Sequence, residues 1–311
     1  MIEVNNVTKI FDTYHALDHV SCKIPEGCVY GMVGSNGAGK STLLRLLSGV
    51  YQPEEGDVEI DGVPVFENPA VKADMFFVPD ELFFLHGASL KRMAQLYKRV
   101  YPRFDEERFH FLTSSFNLNE KAYIHTFSKG MKRQAATILA LSTKPKYILF
   151  DETFDGLDPV MRNLVKNLIS QDVADRKATA IITSHSLREL EDTCDQLALL
   201  HKGGLIFESD IMNLKTSLFK VQVAYSEEYD RDKFEDIEIL KFSKRGSVST
   251  MIVRGDREET TERLWAMSPI LLELLPLSLE EVFTYEMEAL GYEFHDVFLD
   301  EKEREVRAHE K

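Results

Sequence analysis

Cysteine is scarce in this chain. Its 311 residues include only Cys22, Cys28 and Cys194, an odd set with no C-x-x-C pair. That sets aside a disulfide framework and a cysteine zinc site, and it suits a reducing compartment. Positive charge is also short, with 37 Lys and Arg against 52 Asp and Glu and a formal net charge of -15. Nucleic-acid binders carry a basic face, so no nucleic-acid partner is expected. No uncharged apolar run nears the roughly 20 residues of a membrane span. The opening MIEVNNVTKI lacks the basic start and apolar block of a signal peptide. If the protein works at a membrane, another chain must cross it. Glycine and proline, at 16 and 10, are too few for wholesale disorder, and 44% apolar residues are ample for a core.

What is present falls into two regions. From Thr216 onward there are 13 Lys and Arg against 23 Asp and Glu, which is -10 of the chain's -15. We expect one domain over 1–215 and an acidic α+β accessory domain over 216–311. In the first, MIEVNNVTKIF and HALDHVSCKI alternate apolar and polar residues, as half-buried strands do. GCVYGMVG, YILFDE and ATAIITSH read as buried strands followed by helical patterns, the rhythm of an α/β domain with a largely parallel core. Residues 87–143 read as helical throughout and form an insertion. In the second region, FKVQVAY, IEILKFS and VSTMIVRG read as strands, with Lys244, Arg245 and Gly246 turning a hairpin. REETTERLWAM and SLEEVFTYEMEAL read as helices, and the tail DEKEREVRAHEK reads as solvated.

Between one buried strand and a helix stands GSNGAGKST, residues 34–42, which fits G-x-x-x-x-G-K-[ST]. Gly34, Gly37 and Gly39 let the backbone curl with Ser35, Asn36 and Ala38 so that N–H groups face a phosphate. The following helix adds its positive end. Lys40 reaches the β- and γ-phosphates in this reading. Ser41 offers a hydroxyl to Mg2+, and Thr42 continues the helix. The plainer reading is a glycine-rich turn with a chance lysine. YILFDE ends a buried strand on two carboxylates. Asp151 would hold Mg2+, and Glu152 would act as general base on an attacking water. Alone, the pair could be a strand end with two solvated acids.

With these stretches in place, the chain resembles the nucleotide-binding subunit of an ATP-binding cassette (ABC) transporter from about Met1 to Leu214. The most specific part is TFSKGMKRQ between the two phosphate motifs, followed by FDETFDGLDP and ITSH. The resemblance implies the P-loop NTPase core of the ABC type, with an antiparallel β part and a helical insertion. It makes FSKGM the signature loop that caps the γ-phosphate of ATP held by a second subunit. Ser128 and Gly130 match the family pattern L-S-G-G-Q, and Phe127, Lys129 and Met131 depart from it. Lys129 either strengthens that contact or points to solvent. Ser128 could instead be an ordinary helix cap. By the same resemblance Asp158 belongs to the D-loop near the dimer seam, and His185 is the switch histidine that holds the γ-phosphate and water. Phe11 is the adenine platform, with Tyr14 the fallback and a core role for Phe11 the alternative. Where the family has a glutamine after its V-P strand end, this chain has Asp80. An aspartate oxygen can still coordinate Mg2+, but it adds negative charge near the γ-phosphate.

The implied activity is ATP hydrolysis with ATP and Mg2+, coupled to transport. The partners are a second ABC ATPase subunit, identical or different, and an integral membrane permease. The implied location is the cytoplasmic face of the cell membrane. GLDP, the stretch SHSLRELEDTCDQLALLHKGGLIFESD and the acidic tail domain resemble the ATPases of bacterial ABC-2 type exporters, so export is expected. The rival from another class is a soluble ABC-type ATPase that remodels a protein complex without transport. The apolar segment Leu82, Phe83, Phe84 and Leu85 is either a docking surface for the membrane chain or simply buried.

Overall fold

The computed structural model describes residues 1–289, 291 and 292. The tail expected to be solvated lies outside the described residues. The strands are β1 (Ile2–Phe11), β2 (Tyr14–Ile24), β3 (Val29–Val33), β4 (Glu55–Ile60), β5 (Val63–Pro64), β6 (Met75–Val78) and β7 (Tyr147–Phe150). They continue with β8 (Thr179–Ser184), β9 (Gln196–His201), β10 (Gly204–Asp210), β11 (Leu218–Ala224), β12 (Ile239–Arg245), β13 (Val248–Arg254) and β14 (Leu271–Leu275). The helices are α1 (Lys40–Leu47), α2 (Pro69–Lys72), α3 (Leu90–Val100), α4 (Glu106–Ser115) and α5 (Lys129–Ser142). After these come α6 (Pro159–Arg176), α7 (Leu187–Glu191), α8 (Ile211–Ser217), α9 (Arg257–Ala266) and α10 (Leu279–Ala289).

The chain divides into two compact units, Met1–Glu208 and the part from Ser209 onward. In the first, a six-stranded sheet runs β10-β9-β3-β8-β7-β6. β3, β7 and β8 are buried along their whole length, as expected of central parallel strands, with apolar runs in β3 and β7 and an apolar centre, residues 180–182, in β8. β3 pairs in parallel with β8 and β9, and β7 with β6 and β8. The register sets Val33 beside Ser184, Ile182 beside Phe150, and Phe150 beside Val78. β3 and β8 therefore end level with each other, and β7 and β6 end together two residues earlier on the same edge. In open parallel sheets ligands bind beyond that carboxyl edge. A second sheet, β2-β1-β4-β5, is antiparallel. The alternation in β1 and β2 buries Ile2, Val4, Val7, Leu17, Val20 and Ile24 on one side.

The stretch expected to be a helical insertion holds α3, α4, a short 3-10 turn at Ile124–Thr126 and α5. Ser89 and Asp105 cap α3 and α4 by accepting from Arg92 N and Arg108 N. α5 is the most enclosed helix here, with every residue from Arg133 to Ser142 buried.

The unit from Ser209 onward is built on an antiparallel sheet, β12-β13-β11-β14. Gly246 turns the expected hairpin with φ +62, and Arg245 pairs with Val248. The fourth strand, β14, was not foreseen, because LLELL shows no alternation of polar and apolar residues. Phe219, Val221, Val223, Phe234, Met251 and Val253 form the core of this unit.

Candidate functional site

The loop after β3 carries out the turn its glycines permit. Gly39 sits at φ +105, and a Cβ there would lie 2.6 Å from Ala16 O, so no side chain fits. A Cβ at Gly37, φ +80, would meet nothing within 4 Å, so the outer side of the loop is open. The loop closes with Ala38 N donating to Ser35 O at 3.1 Å. Asn36 and Gly37 are exposed, and Thr42 is half-buried in the first turn of α1. Lys40 is buried, with its ammonium donating to Gly34 O at 2.6 Å and Ser35 O at 3.1 Å. Those carbonyls hold the charge at the mouth of the loop.

The carboxylates at the end of β7 meet this loop. Ser41 Oγ donates to Asp151 Oδ1 at 3.0 Å, and Thr183 Oγ1 donates to the same oxygen at 2.8 Å. Asp151 is fully buried, and its Oδ2 has no partner. Burial pushes its carboxyl above the usual range. The Thr183 and Ser41 hydrogen bonds oppose that, and the charges of Glu152 and Asp80 add to it. A buried carboxylate with a vacant oxygen beside a serine hydroxyl fits a hard divalent cation that keeps several waters. Among the described residues no group of three or more His, Cys, Asp and Glu side chains could hold a metal by itself. Ser41 and Asp151 are the residues of this corner that could offer oxygens to such a cation.

Glu152 occupies left-handed backbone at φ +47, unusual for a residue with a long side chain. Its N–H donates to Thr183 Oγ1 at 3.0 Å. Its carboxylate lies 3.3 Å from Lys40 Nζ and 3.1 Å from His185 Nδ1. A carboxylate braced between a lysine and a histidine can accept a proton from a water placed between them. Thr183, which ties both acids to β8, is a residue sequence reasoning missed. The only signal was its place two residues before His185.

Ser128 and Asp158 act here as helix caps. Ser128 Oγ accepts from Met131 N at 3.2 Å at the start of α5. Asp158 Oδ1 accepts from Val160 N and Met161 N, each at 3.0 Å, at the start of α6. Gly130 lies so close to the loop after β7 that a Cβ would sit 2.9 Å from Gly156 O. Lys129 lies at the surface, 71% exposed, with its ammonium donating to Asp155 Oδ2 at 2.8 Å. Asp80 is paired with the buried guanidinium of Arg133. Phe11 ends β1 with 39% of its surface exposed, its ring edge-to-face with Tyr51 at 5.4 Å and Lys9 Nζ 5.4 Å away. Tyr14 is more exposed and donates to Gly37 O at 3.2 Å, beside the loop. The segment Leu82–Leu85 is not simply buried. Phe83 is 80% exposed, and the segment lines a groove of about 480 Å³ with Ile124 and His125.

The model of the ABC transporter family matches residues 17–155. The ABC transporter ATP-binding protein YtrB of Bacillus subtilis is 30% identical over 283 residues, covering 91% of this chain and 97% of YtrB. The chain belongs to the ABC transporter ATP-binding proteins. It is an ATPase subunit of a transporter. The methionine import ATP-binding protein MetN of Protochlamydia amoebophila is 31% identical over 234 residues, covering 68% of this chain and 67% of MetN. Among solved structures, the post-hydrolysis dimer of the ATP-binding cassette MJ0796 with ADP and Pi superposes with a TM-score of 0.60 at 22% identity. It covers 68% of this chain and 99% of that one, and the likeness confirms the α/β cassette fold. No helix among the described residues is long and apolar enough to cross a membrane.

Proposed function

We propose that this ABC ATPase drives export through a separate membrane subunit, by closing head to tail on a second cassette around two ATP molecules. The observation that carries the site reading is that Lys40, Ser41, Asp151, Glu152 and His185 are joined through Thr183 into one connected set at the carboxyl edge of the sheet. In this reading the N–H groups of residues 34–42 and Lys40 bind the triphosphate, and Phe11 carries the adenine, with Tyr14 beside it. Ser41 and Asp151 hold Mg2+, which when bound neutralises charge shared by the β- and γ-phosphates. Glu152 takes the proton of the attacking water, and His185 orients that water and the γ-phosphate. Ser128, Lys129 and Gly130 of a second chain complete the pocket from the far side, with Asp158 at the seam. The open outer side of the loop leaves room for that approach. The dimeric state of the MJ0796 cassette supports this arrangement. Turnover and phosphate loss then loosen the seam.

The membrane subunit engages the groove at Leu82–Leu85, placing the chain at the cytoplasmic face of the membrane. The cassette is taken as 1–215 and the accessory domain as 216–311. Export rests on the likeness of GLDP and the stretch after His185 to ABC-2 type exporters, against the import named for MetN. The test is reconstitution with the membrane chain in vesicles whose cassettes face outward. ATP-driven accumulation of substrate inside the vesicles is expected. ATP-driven release of substrate loaded inside them overturns the direction.

A further inference from the structure

Asp80 poses a problem that Arg133 answers. Position 80 lies two residues past β6, at the same sheet edge as Asp151 and Glu152. A third carboxylate there repels a triphosphate, and its charge already reaches the Asp151 carboxyl. Arg133, one turn along α5 from Lys129, is only 2% exposed. Its Nη2 meets Asp80 Oδ1 and lies 3.7 Å from Asp155 Oδ2. Its Nε and Nη1 have no hydrogen-bond partner. A buried guanidinium so sparsely satisfied is held by its charge partners, because an unpaired charge at this depth is costly. Asp155 in turn accepts from Lys129 at 2.8 Å. The four charges alternate along one chain, Asp80, Arg133, Asp155 and Lys129, and cancel. They join the loop after β6, the first two turns of α5 and the loop after Glu152. The same two segments pack closely independently of charge, since a Cβ added at Gly130 would sit 2.9 Å from Gly156 O.

We infer that Arg133 is a positioning residue that makes an aspartate workable at position 80. It holds the Asp80 carboxylate against α5 and away from the triphosphate. Through Asp155 it also fixes the turn bearing Ser128–Gly130 to the loop that follows the general base. This rests on the site reading above. The pairing is a property of this chain, in which residues 80 and 133 form a charge-matched couple.

The test is steady-state ATP hydrolysis by the full chain as R133Q, D80N, the double variant D80N/R133Q, and K40A. R133Q frees Asp80 to face the nucleotide, so its KM for ATP rises about tenfold or more. D80N removes that charge, so KM stays level or falls, while thermal stability drops because Arg133 is left unpaired. The double variant returns KM to within about threefold of the starting chain. A merely structural ion pair would lower both melting temperatures and leave KM alone. An unmoved KM in R133Q, or a raised KM in the double variant, overturns the role of Arg133. Should R133Q give no cooperative melt, R133K and the double variant carry the test, with KM within about threefold expected for both and a raised KM in the double overturning it. K40A separates the two levels. Normal turnover in K40A sinks the site reading itself, whereas loss of turnover there with an unmoved KM in R133Q sinks only this inference.

Discussion

In the unit Met1–Glu208, the ends of β3, β7 and β8 gather a buried lysine, a fully buried aspartate with a vacant oxygen and a glutamate in left-handed backbone. The unit from Ser209 onward treats its polar groups differently. The single Tyr229 OH proton lies between two carbonyl acceptors, Val223 O at 2.9 Å and Ser247 O at 3.1 Å, and Lys233 and Lys244 lie 3.9 and 4.3 Å from the ring centroids of Tyr225 and Tyr229. Among its described residues only Ser249 Oγ and Arg254 Nε are buried without a hydrogen-bond partner, and Arg254 is held by Glu286 at 2.8 Å. The first unit sets one unmet carboxylate oxygen, on Asp151, and one strained residue, Glu152, side by side at the sheet edge, although other unmet atoms such as Arg108 Nε and Arg176 Nε lie elsewhere in it. The other satisfies itself with packing. Such costs persist where surrounding structure enforces them, and they cluster at working sites.

The sharpest way to break this contrast is Glu152→Gln. Loss of the proton acceptor should lower kcat about 10²- to 10⁴-fold with ATP binding retained, read as phosphate release and nucleotide titration. Next is Phe234→Ala, in the aromatic core of the second unit and 1% exposed. It should cost that unit about 3–5 kcal/mol, read in a urea melt, with ATPase activity within about twofold. A large kinetic loss would show that the units are not separable in function. Phe11→Ala should weaken ATP binding by about 1–3 kcal/mol, roughly 5- to 150-fold in Kd, and Tyr14→Ala should do so by less. The smallest effect concerns the thiols. Burial pushes Cys22 and Cys28 up to about 12 and Cys194 upward too. A thiol reacts as its thiolate, present only as pH approaches the raised value, so at pH 8 the native protein should resist iodoacetamide and the unfolded chain should label at all three.

Much of the cassette was legible because its signals are local. GSNGAGKST, YILFDE and ITSH each place chemistry at a strand end, and the strands pair so that these ends meet. The hairpin at Gly246 and helices α9 and α10 were legible for the same reason. What escaped depends on partners distant in sequence. Asp80 reads as a metal-facing acid until Arg133, 53 residues on, is seen against it. Lys129 reads as a free cation until Asp155 takes it. Thr183 carries no motif, and its importance comes from lying between two acids supplied by another strand. β14 was hidden because its strand lacks a polar face to alternate with.

The central claim is that one chain holds ATP and a second completes the pocket, and sedimentation velocity tests it most directly. Glu152→Gln protein saturated with ATP and Mg2+ should sediment as a dimer. It should return to monomer when nucleotide is withdrawn or when Ser128→Glu sets a negative charge at the start of α5. A monomer under every condition, or a dimer indifferent to Ser128, would contradict the account.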